Sequence, residues 1–127
     1  MIKIKLPFPP SVNSMYGGGS GQKRFPSKKY KQWIKDCPTL EPLNIETPVR
    51  IIYTFIWPDK RVRDGANFIK APLDYLVNQG VLIDDNWKIV TSETWKHMGA
   101  MKDHAGASIV TGKRVNNSNR GFYIKWL

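Results

Sequence analysis

The sequence predicts a mixed α/β fold, one β-sheet with helices packed on one face, built as a single domain over residues 1–127. Three observations lead there. Near the N-terminus apolar and charged residues alternate with the period of a half-buried strand. A mid-chain run is rich in β-branched and aromatic residues. Two further segments space their apolar residues helically between strand-like stretches, which gives the order β-α-β-α-β-β-β. A chain of 127 residues, 41% hydrophobic, suits one core.

Met1 to Leu6 alternates as a strand until Pro7-Phe8-Pro9-Pro10-Ser11 stops it. Gly17, Gly18, Gly19 and Gly21 make a flexible loop. It lacks the G-K-[ST] ending of a phosphate-binding P-loop. Ser27 is placed to cap a short helix with Tyr30, Trp33 and Ile34 on one face, ended by Pro38 and Pro42. Val49 to Trp57 reads as a central strand, and Pro58-Asp59-Lys60 as a turn. Asn67 to Val77 has helical spacing at Phe68, Ile69, Leu73, Leu76 and Val77, with Gly80 as its stop signal. Pro72 must kink that helix or mark its first turn. Trp87 to Met98, Ala107 to Thr111 and Gly121 to Trp126 read as strands, with a turn at Asn116-Asn117-Ser118-Asn119.

The formal charge of +10, from 20 Lys+Arg against 10 Asp+Glu, predicts a polyanionic partner. No apolar run approaches the roughly 20 residues of a membrane span, and no signal peptide is apparent, so nucleic acid ranks ahead of membrane and a cytoplasmic location is expected. The single cysteine, Cys37, excludes an internal disulfide. With only two histidines, His97 and His104, seven residues apart, a zinc site is not expected.

Within this basic chain Arg61 to Asp85 carries Asp64, Lys70, Asp84 and Asp85. Carboxylates in a positive surface suit a metal-dependent nuclease, in which basic residues hold the backbone and carboxylates hold Mg²⁺ against one phosphodiester. Lys70 would reach the scissile phosphate or a leaving oxygen as a point charge. The alternative is plain: Asp64 a helix cap, Asp84-Asp85 a turn and Lys70 a solvated helix residue. Spacing leaves both open, because a helix of about 13 residues is roughly 20 Å long and its two ends need not meet.

Two motifs resemble the RusA family of Holliday-junction resolvases. Arg61-Val62-Arg63-Asp64-Gly65-Ala66-Asn67-Phe68-Ile69-Lys70, followed by Leu82-Ile83-Asp84-Asp85, is similar to an R-x-D-x-D-N-x-x-K segment with a D-D pair about twenty residues on. Leu6 to Asn13, with Tyr16, resembles the family's L-P-x-P-P-S-x-N opening. The resemblance covers most of residues 1 to 98. It implies a RusA-like homodimer that nicks four-way DNA junctions symmetrically with Mg²⁺, for which Mn²⁺ can substitute, in a bacterial or phage setting. It implies metal binding by Asp64 and Asp85, with Asp84 the weaker member of the acidic pair. Lys70 is the implied catalytic lysine, and Asn67 an orienting residue.

Ala66 departs from the pattern, since it stands where the family motif has a second aspartate and alanine cannot ligate a metal. Either the aspartate was replaced by design or a natural protein lost it; the intact surroundings favour replacement. A cleavage-impaired resolvase is therefore expected, with a non-catalytic junction-binding protein on the same fold as the alternative. A general single-strand binder is a third reading. For DNA contact, Lys60, Arg61 and Arg63 come first, then Lys23, Arg24, Lys28, Lys29 and Lys31 around the glycine loop. Phe8, Tyr16 and Trp87 are candidate wedges at the junction centre, weighed against core roles. Glu93 is read as a surface strand position that could serve as an auxiliary acid.

Overall fold

The structure is a computed structural model and describes residues 3–18, 23–57, 60–97, 107–114 and 122–125. The expected Asn116–Asn119 turn, His104 and the centre of the glycine loop lie outside these residues. The elements are β1 (Lys3–Pro7), β2 (Tyr16–Gly17), β3 (Phe25–Pro26), α1 (Lys28–Asp36), β4 (Val49–Phe55), α2 (Lys70–Asn78), β5 (Val90–His97), β6 (Ala107–Arg114) and β7 (Phe122–Lys125). Short 3₁₀ turns cover Val12–Ser14 and Gly65–Phe68.

Among the described residues one sheet runs β1-β6-β4-β5, with β7 also paired to β6. β4 is interior, as its composition predicts: it lies antiparallel to β6 and parallel to β5. A parallel neighbour needs a crossover, and α2 supplies it. On β4 the alternation is clear. Val49, Ile51, Tyr53 and Phe55 are essentially inaccessible, whereas Arg50 is exposed. The inner set packs with Tyr30 and Trp33 of α1 and with Ala71, Leu73, Tyr75 and Leu76 of α2 in one core. β2 and β3, which flank the glycine loop, pair as a short hairpin that period-two patterning is too brief to reveal.

Ser27 caps α1 by accepting the Tyr30 N–H at 3.1 Å, and its hydroxyl donates to the Ser14 carbonyl. The buried stripe of α1 is narrower than expected: Tyr30 and Trp33 face the core, but Ile34 is 38% exposed. Trp33 Nε1 donates to the Pro7 carbonyl at 3.0 Å and ties α1 to the end of β1. Cys37 follows the helix, buried, with burial pushing its thiol up to about 12.

The second helix starts later than its apolar spacing suggests, because Gly65–Phe68 forms a separate 3₁₀ turn before α2. Pro72 falls in the first turn of α2, where its missing N–H has no helical partner to lose, so there is no broken bond to accommodate. Gly80 ends the helix with φ +75°, a conformation that favours glycine. The chain then runs back beside residues 44–45: Ile45 N–H donates to the Val81 carbonyl, and Ile83 N–H to the Ile45 carbonyl, both at 3.0 Å. Nine helical residues rise about 14 Å, and the five steps from Gly80 to Asp85 span up to about 17 Å when extended. The return is long enough to reach the start of the helix.

The strand expected from Trp87 begins only at Val90. Asn86 explains the delay, since its side-chain oxygen accepts from Lys88 N–H and its carbonyl from Ile89 and Val90 N–H, which closes a turn.

Removal of the Ser27 hydroxyl takes away the cap of α1 and its tie to Ser14 together. Ser27→Ala is expected to lower unfolding free energy by roughly 1–2 kcal/mol in a denaturant melt.

Candidate active site

Asp64 begins the 3₁₀ turn. One of its oxygens accepts the Ala66 N–H at 3.1 Å, and its carbonyl accepts the Asn67 N–H at 3.1 Å. This is the capping role of the plainer reading, and it also fixes the direction of an exposed carboxylate. The turn sits on the sheet through Gly65. A Cβ on Gly65 would lie 2.7 Å from Trp95 Cδ1 and 2.8 Å from His97 Cε1, so only glycine permits this approach. Phe68 at its end packs against Phe8, Phe55 and Trp57. Arg63 extends its guanidinium over the rings of Phe8 and Trp57 at 5.5 and 5.6 Å, while Lys60 and Arg61 are exposed.

At the start of α2, Lys70 Nζ forms an ion pair with Asp74 at 3.0 Å, one helical turn on. This hydrogen bond holds the Lys70 ammonium above its ordinary pKa, and the charge of Asp85 adds to the effect. The return after Gly80, paired with Ile45, carries Asp85 back from the end of α2, a course that sequence spacing leaves open. Asp85 is exposed. Asp84 is used by its own turn: one oxygen accepts the Asp85 N–H and the other the Asn86 amide, at 2.8 and 2.9 Å. These bonds, that from Asn86 foremost, hold its carboxyl below the usual range.

Two groups join this neighbourhood without a local sequence signal. Tyr53 on β4 is buried and donates to Glu93 Oε2 on β5 at 2.7 Å. Burial first, and then the Glu93 charge, push its phenol well up, with smaller contributions from Asp74 and Asp85. Glu93 is therefore half-buried and partnered, not a free surface acid. Asp74 is the other, and its pairing follows from the i,i+4 spacing to Lys70 once the helix start is known. His97, at the end of β5, stacks on Phe55 and Trp57.

The donors available to a cation are carboxylate oxygens on Asp64 and Asp85, the chemistry that a hard divalent ion takes together with water and phosphate. Among the described residues no three His, Cys, Asp or Glu side chains converge as a metal site. Ala66 is exposed beside Asp64, so a carboxylate there would project from the same turn. The donor type fits, and the number is one short of the family motif.

Lys28, Lys29 and Lys31 crowd the first turn of α1, which has no acidic residue. Cations there oppose the helix dipole, so they do not serve the helix. Arg24 lies over the Tyr16 ring at 5.5 Å, and Lys23 is exposed nearby.

A positive charge with exposed carboxylates is the combination that cleavage of a nucleic-acid phosphodiester would use. The family model described as endodeoxyribonuclease RusA matches residues 7–104, and the chain belongs to that family. Its members are metal-dependent endodeoxyribonucleases that act on Holliday junctions. No curated protein matches the chain. No helix among the described residues is long and apolar enough to cross a membrane.

Two outcomes follow. Asp74→Asn removes the main cause of the raised Lys70 pKa, so Lys70 is expected to titrate at lower pH than in the parent, read by NMR of its side chain. Gly65→Ala forces Trp95 and His97 aside and is expected to cost roughly 1–3 kcal/mol in a denaturant melt, as overpacking does.

Proposed function

We propose that this chain is a homodimeric Holliday-junction resolvase of bacterial or phage cytoplasm whose cutting step is impaired at Ala66. The supporting observation is the match of the RusA family model to residues 7–104, a span that takes in Asp64, Lys70 and Asp85. In this reading Asp64 and Asp85 hold Mg²⁺, or Mn²⁺ in its stead, and the cation supplies charge stabilisation at the scissile phosphate. Lys70 faces the same phosphate as a fixed positive charge, oriented by Asp74. Asn67 follows Asp64 in the 3₁₀ turn and keeps that turn in register. Asp84 shapes the loop that carries Asp85. Lys60, Arg61 and Arg63 bind the backbone near the cut, and Lys23, Arg24, Lys28 and Lys29 bind a duplex arm. A junction has near two-fold symmetry, so a C2 dimer offers two sites to opposed strands.

Ala66 favours a second reading, a protein that binds junctions without cutting. The deciding measurement is cleavage of an end-labelled four-way junction in Mg²⁺ by this chain and by Ala66→Asp. Symmetric nicking by Ala66→Asp, with little or none by the parent, is expected. Cutting by the parent at the same rate would remove Ala66 from the metal site. No cutting by either, with junction binding intact, would leave the non-catalytic reading. In competition at raised salt the chain is expected to keep a preference for junction over duplex, whereas a binder driven by charge alone loses it.

A further inference from the structure

Trp87 is 78% exposed, whereas Trp33 and Trp57 are buried in the core. It is held out by a tight turn: Asn86 accepts from Lys88 N–H on one side, and Ile89, buried behind it, accepts the Val49 N–H at 2.7 Å. The indole makes no ring–ring contact among the described residues, and Lys88 Nζ lies 5.7 Å from its centroid. Ile83, 54% exposed, stands on the other side of Asp84 and Asp85. Two apolar side chains thus bracket the acidic pair on a hydrogen-bonded loop. Exposing an indole contributes nothing to this fold and costs apolar hydration. The other two aromatic candidates are engaged elsewhere, Phe8 with Phe55, Trp57 and Phe68, and Tyr16 against Tyr30.

We propose that Trp87 is the base-stacking residue of this protein: it packs against an unstacked nucleobase at the branch point of four-way DNA, while Lys88 pairs with an adjacent phosphate. Every base offers a π-face, so stacking of this kind reads branch geometry and not sequence. A duplex, whose bases are all stacked, gives the indole no partner. The lysine beside the ring supplies the charge complement to DNA within a chain of +10. The position two residues beyond Asp85 would set the stacked base near the scissile phosphate, and this rests on the functional reading above.

The test is binding, which does not depend on whether the chain cuts. Affinities of the parent, Trp87→Ala and Trp87→Phe are measured by fluorescence anisotropy. The probes are a labelled four-way junction, a duplex of the same sequence, and a junction with abasic sites flanking the branch point. Trp87→Ala is expected to bind the intact junction roughly ten-fold more weakly, with duplex affinity and melting temperature unchanged. Trp87→Phe should retain most of the affinity. The abasic junction should weaken the parent to the level of Trp87→Ala and leave that variant unaffected, because the two changes remove one interaction. Equal loss on junction and duplex, or no loss on either, overturns the proposal. So does a shift of Trp87→Ala to a smaller species in sedimentation, since the indole then belongs between copies of the chain. A parent without junction preference would instead bring down the functional reading itself.

Discussion

The packing of Phe8, Phe55, Trp57 and Phe68 is the contact on which the candidate site rests. These rings come from three separate stretches: the chain after β1, the end of β4, and the turn that begins at Asp64. Their centroids lie 5.2–6.4 Å apart in edge-on, tilted and stacked arrangements. A floating loop would let the Asp64 carboxylate wander. Here Phe68 pins one end of its turn and Gly65 presses the other against β5. Arg63 closes the top of the cluster, so its charge is held while its neighbours Lys60 and Arg61 reach into solvent. The first motif of the family is in this sense an aromatic anchor with polar groups mounted on it.

Charge is arranged with the opposite economy. The chain is strongly basic, yet the groups near the helix return are acidic: Asp74, Asp85 and Glu93 all act on Tyr53 or Lys70. A lysine among carboxylates stays charged, and a carboxylate such as Asp84 that receives hydrogen bonds from its own turn stays ionised. The result is a small region of hydrogen-bonded and paired charges within a chain of net charge +10.

Local patterns made much of this legible in advance. The interior position of β4 follows from its run of β-branched and aromatic residues. The Ser27 cap and the Gly80 stop follow from residue types that suit those backbone conformations. Pro72 leaves two possibilities in the sequence, a kink or a first turn, and the later start of α2 at Lys70 puts it in the first turn. What sequence did not yield depends on distance along the chain. Tyr53 meets Glu93 only because β4 and β5 pair in parallel, and Phe8 is partly covered because Phe68 returns to it. Trp87 looked like the first residue of a strand by propensity, but the hydrogen bonds of Asn86 overrode that preference and left the indole outside. The gap between the two acidic motifs was undecided until the backbone pairing of Ile45 with Val81 and Ile83 showed how the chain comes back.

The position of β6 has a further consequence, for synthesis. This strand, Ala107–Arg114, is inserted between β1 and β4, so among the described residues β1 finds its paired neighbour at residues 107–111. On the ribosome the first hundred residues can form α1, α2 and the parallel β4–β5 pair, but β1 has no strand to join and one edge of β4 stays open. Closure waits until residues 107–114 have emerged. Such late, long-range pairing slows folding and keeps strand edges available for association in the meantime. A nascent chain stalled before residue 107 would therefore present the unpaired edge of β4, whose partner strand has not yet been made.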